Sequence, residues 1–471
     1  MTDYVDLDDL EPGAASYDEA PRQGGGRKAA HDAATEDAAA IRFAAKYAGR
    51  LRFCHDTGAW FGWDKVAWRP NRTGLAFRWA RELARGLAEA APAKARGTIA
   101  KTSFAAGVER FCRSDPVFAV TAESWDTDPW LLGTPAGTVD LRTGKLRRSD
   151  QADGITKLAA VAPADEPDCP LWLAFLDQAT GGDVELIRFL QQWCGYSLTG
   201  STREHALVFI YGPGGNGKSV FLNVLSSILG DYATTAAIDT FTASAGDRHT
   251  TDLAMLRGAR LVTASETEEG RAWAEARIKQ LTGGDLITAR FMRQDNFTFL
   301  PTFKLTIVGN HQPALRNVDE AARRRFRIVP FVRKPAQPDA TLEDRLRGER
   351  PAILRWIIAG CLDWQENGLI TPASVVSATD DYFVEQDLFG QWLADACDLD
   401  PGNDHKWEQT SELFASWTAY AKAAGDAPGS TKSFAPAMRR HGIRKHRSKT
   451  VRGWAGIRLR QKQPFSRDGD G

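Results

Sequence analysis

From Gly212 to Ser219 the chain reads GPGGNGKS, placing Gly212, Gly217, Lys218 and Ser219 in the spacing G-x-x-x-x-G-K-[ST]. That spacing suits the holding of a polyphosphate. Glycines let backbone N–H groups turn inward, and the start of a helix adds a positive partial charge. In such a loop Gly212, Gly214, Gly215, Asn216, Gly217 and Val220 wrap the phosphates. Lys218 reaches the β- and γ-phosphates, and Ser219 ligates Mg²⁺. A nucleoside triphosphate with Mg²⁺ is therefore expected, and the loop alone leaves kinase, GTPase, recombinase and helicase open.

Three further places carry chemistry. Glu266 ends the run LVTASE and is expected to polarise the attacking water and to share the Mg²⁺. Asn310 ends KLTIVGN and is expected to orient that water near the γ-phosphate. In RRRFR, Arg323, Arg324, Arg325 and Arg327 lie close together, and a buried arginine can stabilise charge on a phosphoryl group bound by a neighbouring subunit. Plainer readings stay open. Glu268 and Glu269 follow Glu266 as in an acidic surface turn, an Asn after glycine is common in turns, and four arginines can be a solvated basic turn.

The elements that must position these groups are legible around them. ALVFIY, just before the loop, is apolar and β-prone, as a buried parallel strand is. SVFLNVLSSIL, just after it, has the apolar spacing of an amphipathic helix. Strand, glycine loop and helix together are the context the motif requires. LITARFM and FTFLPTF flank RQDN, which predicts a β-hairpin with a polar tip. A basic hairpin can grip phosphates without reading sequence.

The chain has 471 residues, room for about three domains. Its 60 basic and 60 acidic residues cancel, but unevenly. Residues 1–40 hold ten acidic and three basic residues and read as a disordered low-complexity tail. Residues 427–466 contain no acid and many Arg and Lys, which points to nucleic acid. The six cysteines include no C-x-x-C pair, so neither a zinc ribbon nor a disulfide framework is expected. No signal peptide or apolar run of membrane-spanning length occurs, so a cytoplasmic protein with no membrane partner is expected. The remaining boundaries are 41–166 for an N-terminal α+β and helical domain, 167–203 for a helical collar broken at Gly181 and Gly182, 204–335 for the nucleotide core, 336–390 for a helical connector and 391–471 for a basic module.

GPGGNGKS, RLVTASETEEG, IKQLTGGDLITARFMRQ, FKLTIVGNHQP and RRRFRIVPF, in that order, resemble the superfamily 3 helicase core. The resemblance is to the phage and plasmid primase–helicases, relatives of the poxvirus primase-helicase. WDTDPWLLGTPAGTVDLRTGKL is similar to the segment that precedes the helicase in that family. The resemblance implies an α/β fold with an AAA+-like P-loop core and a parallel sheet. It implies that Lys218, Glu266, Asn310, Arg324 and Arg325 are catalytic, the last two in trans. Ser265 stands where many ATPases have an Asp before the acid, a departure that bears on direct metal ligation. Lys279, Asp285, Arg290 and Arg293 fall in the motif that forms the channel hairpin. The family forms rings, usually hexamers, that move 3′ to 5′ on single-stranded DNA.

The tail resembles a winged helix, with RGWAGIRL as its last strand. Arg439, Arg440, Arg444, Lys445, Arg447, Lys449 and Arg452 form its basic cluster, expected to touch DNA. Asp126 and Asp128, in DTD, have the look of a polymerase metal pair but sit in the pre-helicase segment with no further catalytic cluster. The expected protein is a replicative DNA helicase of a phage, prophage or plasmid in a bacterial host. It would have no primase site of its own and a separate primase or polymerase as partner. Two other readings stay open: a ring ATPase that initiates replication or remodels DNA without unwinding, and a non-enzymatic DNA-binding regulator.

Overall fold

The structure, a computed structural model, describes residues 35–243, 251–266, 272–292, 295–315, 320–424, 426–447 and 452–460. Of the disordered tail expected over residues 1–40, residues 1–34 lie outside them, whereas residues 36–40 open the helix Glu36–Tyr47, where Ala39 and Ala40 are buried.

Strands β1 (Leu51–Cys54), β2 (Ala59–Trp63), β3 (Trp68–Pro70) and β4 (Ala119–Val120) form a small sheet in the order β3-β2-β1-β4. Helices Glu36–Tyr47, Leu75–Ala90 and Thr102–Arg113 cover it. The Thr35 hydroxyl caps the first helix by accepting from Ala38 N at 3.2 Å. Phe43, Tyr47, Trp60, Trp79 and Phe118 pack into its core, and the buried Trp60 indole donates to Glu109 at 2.5 Å. Three antiparallel strands follow: β5 (Leu131–Thr134), β6 (Gly137–Asp140) and β7 (Lys145–Arg147).

The central sheet is wholly parallel, with strands β8 (Leu207–Tyr211), β9 (Ala233–Thr235), β10 (Leu261–Glu266), β13 (Lys304–Gly309) and β14 (Phe326–Pro330) in the order β14-β8-β13-β10-β9. A parallel sheet is buried on both faces, which is why its central strands are mostly apolar. Leu207, Phe209, Val262, Leu305, Ile307 and Ile328 face one core, with Trp273 and Tyr382. Val208, Ile210 and Val329 face the other, with the collar helices Pro170–Thr180 and Val184–Leu198 and the long helix Arg350–Asn367. The antiparallel pair β11 (Ile287–Ala289) and β12 (Phe297–Phe299) is inserted between β10 and β13.

The collar is bonded into the sheet. Trp193 donates from its buried indole to Thr306 on β13 at 2.8 Å. Arg260 and Lys304, both buried, bond carbonyls at the end of helix Val184–Leu198, Arg260 donating to Leu198 O at 2.6 Å and Lys304 to Thr199 O; Arg260 also donates to Leu131 O on β5 at 2.7 Å. Cations are favoured there because the last carbonyls of a helix carry negative partial charge. Burial and the neighbouring Arg260 still hold the Lys304 amine well below its usual value.

After helices Ala373–Gln386 and Leu388–Ala396, strands β15 (Cys397–Leu399), β16 (Trp407–Gln409), β17 (Arg444–Arg447), β18 (Arg452–Ala455) and β19 (Ile457–Leu459) surround helices Thr410–Ala423 and Thr431–Arg440. RGWAGIRL is two strands rather than one. Gly456, at φ +74°, breaks it, so β18 joins β16 and β17 while β19 pairs with β15. A left-handed residue cannot continue a strand, and glycine adopts that conformation at least cost.

Candidate functional site

Register decides what meets at the edge of the central sheet. Glu266 on β10 pairs with Gly309 on β13, Gly309 pairs with Tyr211 on β8, and Tyr211 pairs with Pro330 on β14. Four strand ends therefore form one row. The glycine loop, Glu266, Asn310 and Phe331 all emerge from that row, the edge where parallel α/β sheets bind ligands.

In the loop the glycines divide into two kinds. Gly212 and Gly217 are tight: a Cβ would come within 2.0 Å of Phe331 O at the first and 2.5 Å of the Phe175 ring at the second. Gly217 also has φ +86° and is the N-cap of helix Lys218–Leu229, without a side-chain cap. The first N–H groups of that helix are thus left for another acceptor. At Gly214 and Gly215 a Cβ would meet nothing within 4 Å, so the loop is open on that side. An open cradle of glycines before an uncapped helix fits a polyphosphate.

These two kinds of glycine give separable predictions. Gly217→Ala combines a left-handed backbone with a clash, and is expected to destabilise the fold by about 2–4 kcal/mol in denaturant unfolding. Gly214→Ala is expected to change stability by less than about 0.5 kcal/mol. It should nonetheless weaken triphosphate binding, because its methyl group fills the open side of the loop.

Lys218 is buried and donates to Gly212 O at 2.6 Å and Asn216 Oδ1 at 2.9 Å. Asn216 in turn donates to Phe331 O. Burial, then the charge of Lys334, lowers the Lys218 amine below its usual value. Ser219 is exposed on the first helical turn, and Val220 is half-buried behind it. A hydroxyl there suits Mg²⁺, which takes few protein ligands beside substrate phosphates. Asn310 is exposed just beyond β13, and Glu266 is described as a strand position.

The arginines lie at the other edge. Arg324 and Arg325 form the turn before β14, and Arg325 O accepts from Leu207 N at 2.8 Å, at the start of β8. Five residues of β14 separate them from the loop, about 16 Å of strand. The cluster is divided by its contacts. Arg323 pairs with Asp380 at 2.6 Å, and Arg325 donates to Ala321 O at 2.7 Å. Arg327 bonds Arg324 O at 2.8 Å, and burial lowers its pKa. Arg324 is exposed, with no side-chain partner among the described residues.

The candidate DNA contacts fall in two places. Arg290 is exposed beside the β11–β12 hairpin, where Phe291 and Phe297 stack at 5.5 Å. Lys279 lies instead on the preceding helix, Glu275–Gly283, and Arg293 lies outside the described residues. In the C-terminal module Arg439, Arg440 and Lys445 are exposed, while Arg444 is held by Asp404 at 3.0 Å and Pro401 O at 2.9 Å. Arg447 is described as a position on β17, exposed Arg452 opens β18, and Lys449, like Glu268 and Glu269, lies outside the described residues. The aspartates of DTD are engaged locally. Asp126 accepts from Thr156, and Asp128 takes both oxygens to Arg142 at 2.8 and 2.9 Å.

Residues 40–181 match the model of the D5 N terminal like family, and residues 210–325 that of a family of unknown function (DUF5906). The chain carries a D5-like N-terminal segment. It is 25% identical over 327 residues to "Putative helicase 022R" of Frog virus 3 (isolate Goorha), covering 63% of this chain and 31% of that one. A protein named in the same way in Acanthamoeba polyphaga mimivirus is 24% identical over 322 residues, covering 62% of this chain and 33% of its own length. This chain thus spans about a third of the length of both relatives. Among solved structures, the apo C-terminal region of NrS-1 aligns with a TM-score of 0.40 at 10% identity, over 63% of this chain and 77% of that one. No described helix is long and apolar enough to cross a membrane.

Sequence reasoning passed over two residues at the site. Phe175, on the collar, closes the back of the loop against Gly217. Lys334 sits near Lys218. The segment VRK directly after the apolar run RIVPF was the available signal, since whatever follows a parallel strand stands at the ligand edge.

Proposed function

We propose that this chain is the ATP-driven motor of a DNA helicase of the primase–helicase kind, working as a ring, hexameric by resemblance, on single-stranded or forked DNA. The observation that carries the reading is the single row of strand ends from which the glycine loop, Glu266 and Asn310 emerge. The strand order β14-β8-β13-β10-β9, with the phosphate-loop strand second, supports an AAA+-like P-loop core. Relatives named as helicases support the DNA-directed activity.

In this reading Lys218 and the loop N–H groups hold the β- and γ-phosphates of ATP. Ser219, with Glu266, would hold Mg²⁺, which neutralises phosphate charge when bound. Glu266 takes the proton of the attacking water, and Asn310 orients that water from the adjacent strand end. Arg324 lies too far from its own loop and serves the neighbour's. Lys279, Arg290 and Arg293 bring the hairpin region to the strand, so that turnover at subunit interfaces moves it 3′ to 5′. Helix Thr431–Arg440 followed by the β17–β18 hairpin supports a winged-helix-like module, with Arg439, Arg440, Arg444, Lys445 and Arg447 toward DNA.

Strand displacement on a forked duplex with ATP, beside a mass measurement of the assembly, tests the proposal. DNA-stimulated turnover without displacement would make the chain a motor that does not unwind. Neither turnover nor displacement would leave a DNA-binding regulator. Within the motor, Glu266→Gln is expected to bind ATP like the parent and hydrolyse it about 10²–10⁴-fold more slowly, because an amide cannot accept the proton. Unchanged single-turnover hydrolysis would move the base to another acid, such as Glu268 or Glu269.

A further inference from the structure

The segment that leaves β14 is fastened to the glycine loop. Phe331 N donates to Tyr211 O at 2.8 Å, and Phe331 O accepts the Asn216 amide while lying against Gly212. Arg333, two residues on, rests against the end of collar helix Pro170–Thr180. A Cβ on Gly181 would meet its Nε at 3.0 Å. Lys334 follows, exposed, with its charge within range of Lys218. The segment 331–334 therefore runs from β14 past Gly212 and Asn216 to the end of the collar helix.

The charges there are unbalanced. The Lys218 ammonium meets two neutral acceptors, and no carboxylate among the described residues pairs with it or with Lys334. Two ammonium groups at one strand edge repel each other. A polyanion between them removes the repulsion and gains charge-assisted hydrogen bonds. β8 lies between β14 and β13, so Lys334 and Asn310 emerge on opposite sides of the glycine loop.

We propose that Lys334 is a second lysine of the nucleotide site, contacting the polyphosphate of a nucleoside triphosphate bound in the same subunit. Lys334 and Asn310 then flank the phosphates, and binding holds the segment 331–334 against the loop. Through Arg333 the same segment touches the collar, so the collar feels whether phosphate is bound. The inference rests on the phosphate-loop reading of Lys218.

The test is equilibrium binding of a slowly hydrolysed ATP analogue and of ADP to the full chain, with no turnover required. Lys334→Ala is expected to raise the Kd for the triphosphate about 10–100-fold, the worth of one charged hydrogen bond. Lys334→Arg should recover most of the affinity, since it keeps the charge, and Lys334→Gln should not. Lys334 is exposed, so thermal melting should match the parent in all three. Parental affinity of Lys334→Ala, with binding lost in Lys218→Ala, overturns this inference alone. Parental affinity of Lys218→Ala overturns the phosphate-loop reading and this inference with it.

Discussion

Arg324→Ala protein will bind ATP as the parent does and hydrolyse it about 10³–10⁵-fold more slowly, the rate contribution of an arginine supplied in trans. The geometry selects Arg324 over its neighbours. Arg323 is tied to Asp380, Arg325 to Ala321 O and Arg327 to Arg324 O, whereas Arg324 is exposed. It also stands at the start of β14, the far edge from its own glycine loop. If Arg324 acts, it acts on a neighbouring subunit. Arg325→Ala should lose less activity, because its guanidinium holds the turn in place.

Mixing sharpens the result. Rings that combine Arg324→Ala with Lys218→Ala subunits contain some interfaces with both an intact loop and an intact arginine. Part of the ATPase activity should return on mixing, once labelled subunits are seen to exchange. Exchange with no recovery at any ratio would count against action in trans. Full activity of Arg324→Ala on its own would refute the assignment.

Lys218→Ala is the second large expected effect. Turnover should fall by at least about 10²–10³-fold, since in the proposed reading this amine meets the charge that develops on the transferred phosphoryl group. Stability should change little. The variant leaves Gly212 O and Asn216 Oδ1 without their donor, which costs about 1–3 kcal/mol. It also removes a buried ammonium whose pKa burial and Lys334 already depress, an offsetting gain. The depressed amine has a pH signature. The folded chain holds the Lys218 proton less tightly than the unfolded chain, so this group's contribution to stability rises with pH toward the ordinary value of 10.5. That increment should be missing from thermal melts of the variant. Near-parental turnover in a folded Lys218→Ala protein would sink the assigned site.

The sequence by itself determined the local chemistry. The spacing from Gly212 to Ser219, the apolar runs that became β8, β10, β13 and β14, and the break at Gly181 and Gly182 all depend on near neighbours. Glycine spacing and apolar periodicity are written in consecutive residues, so they can be read there. The tertiary structure alone decided what meets what. Nothing in the spacing of Tyr211, Glu266, Gly309 and Pro330 states that they end in one row, because register between parallel strands is set by packing across long crossovers. Nor did four clustered arginines reveal which were spoken for; Asp380 and Ala321 O divided them. Asp126 and Asp128 went to Thr156 and Arg142 for the same reason. Lys334 became visible only once β14 lay beside β8, for a charge matters through what folding brings within a few ångströms of it.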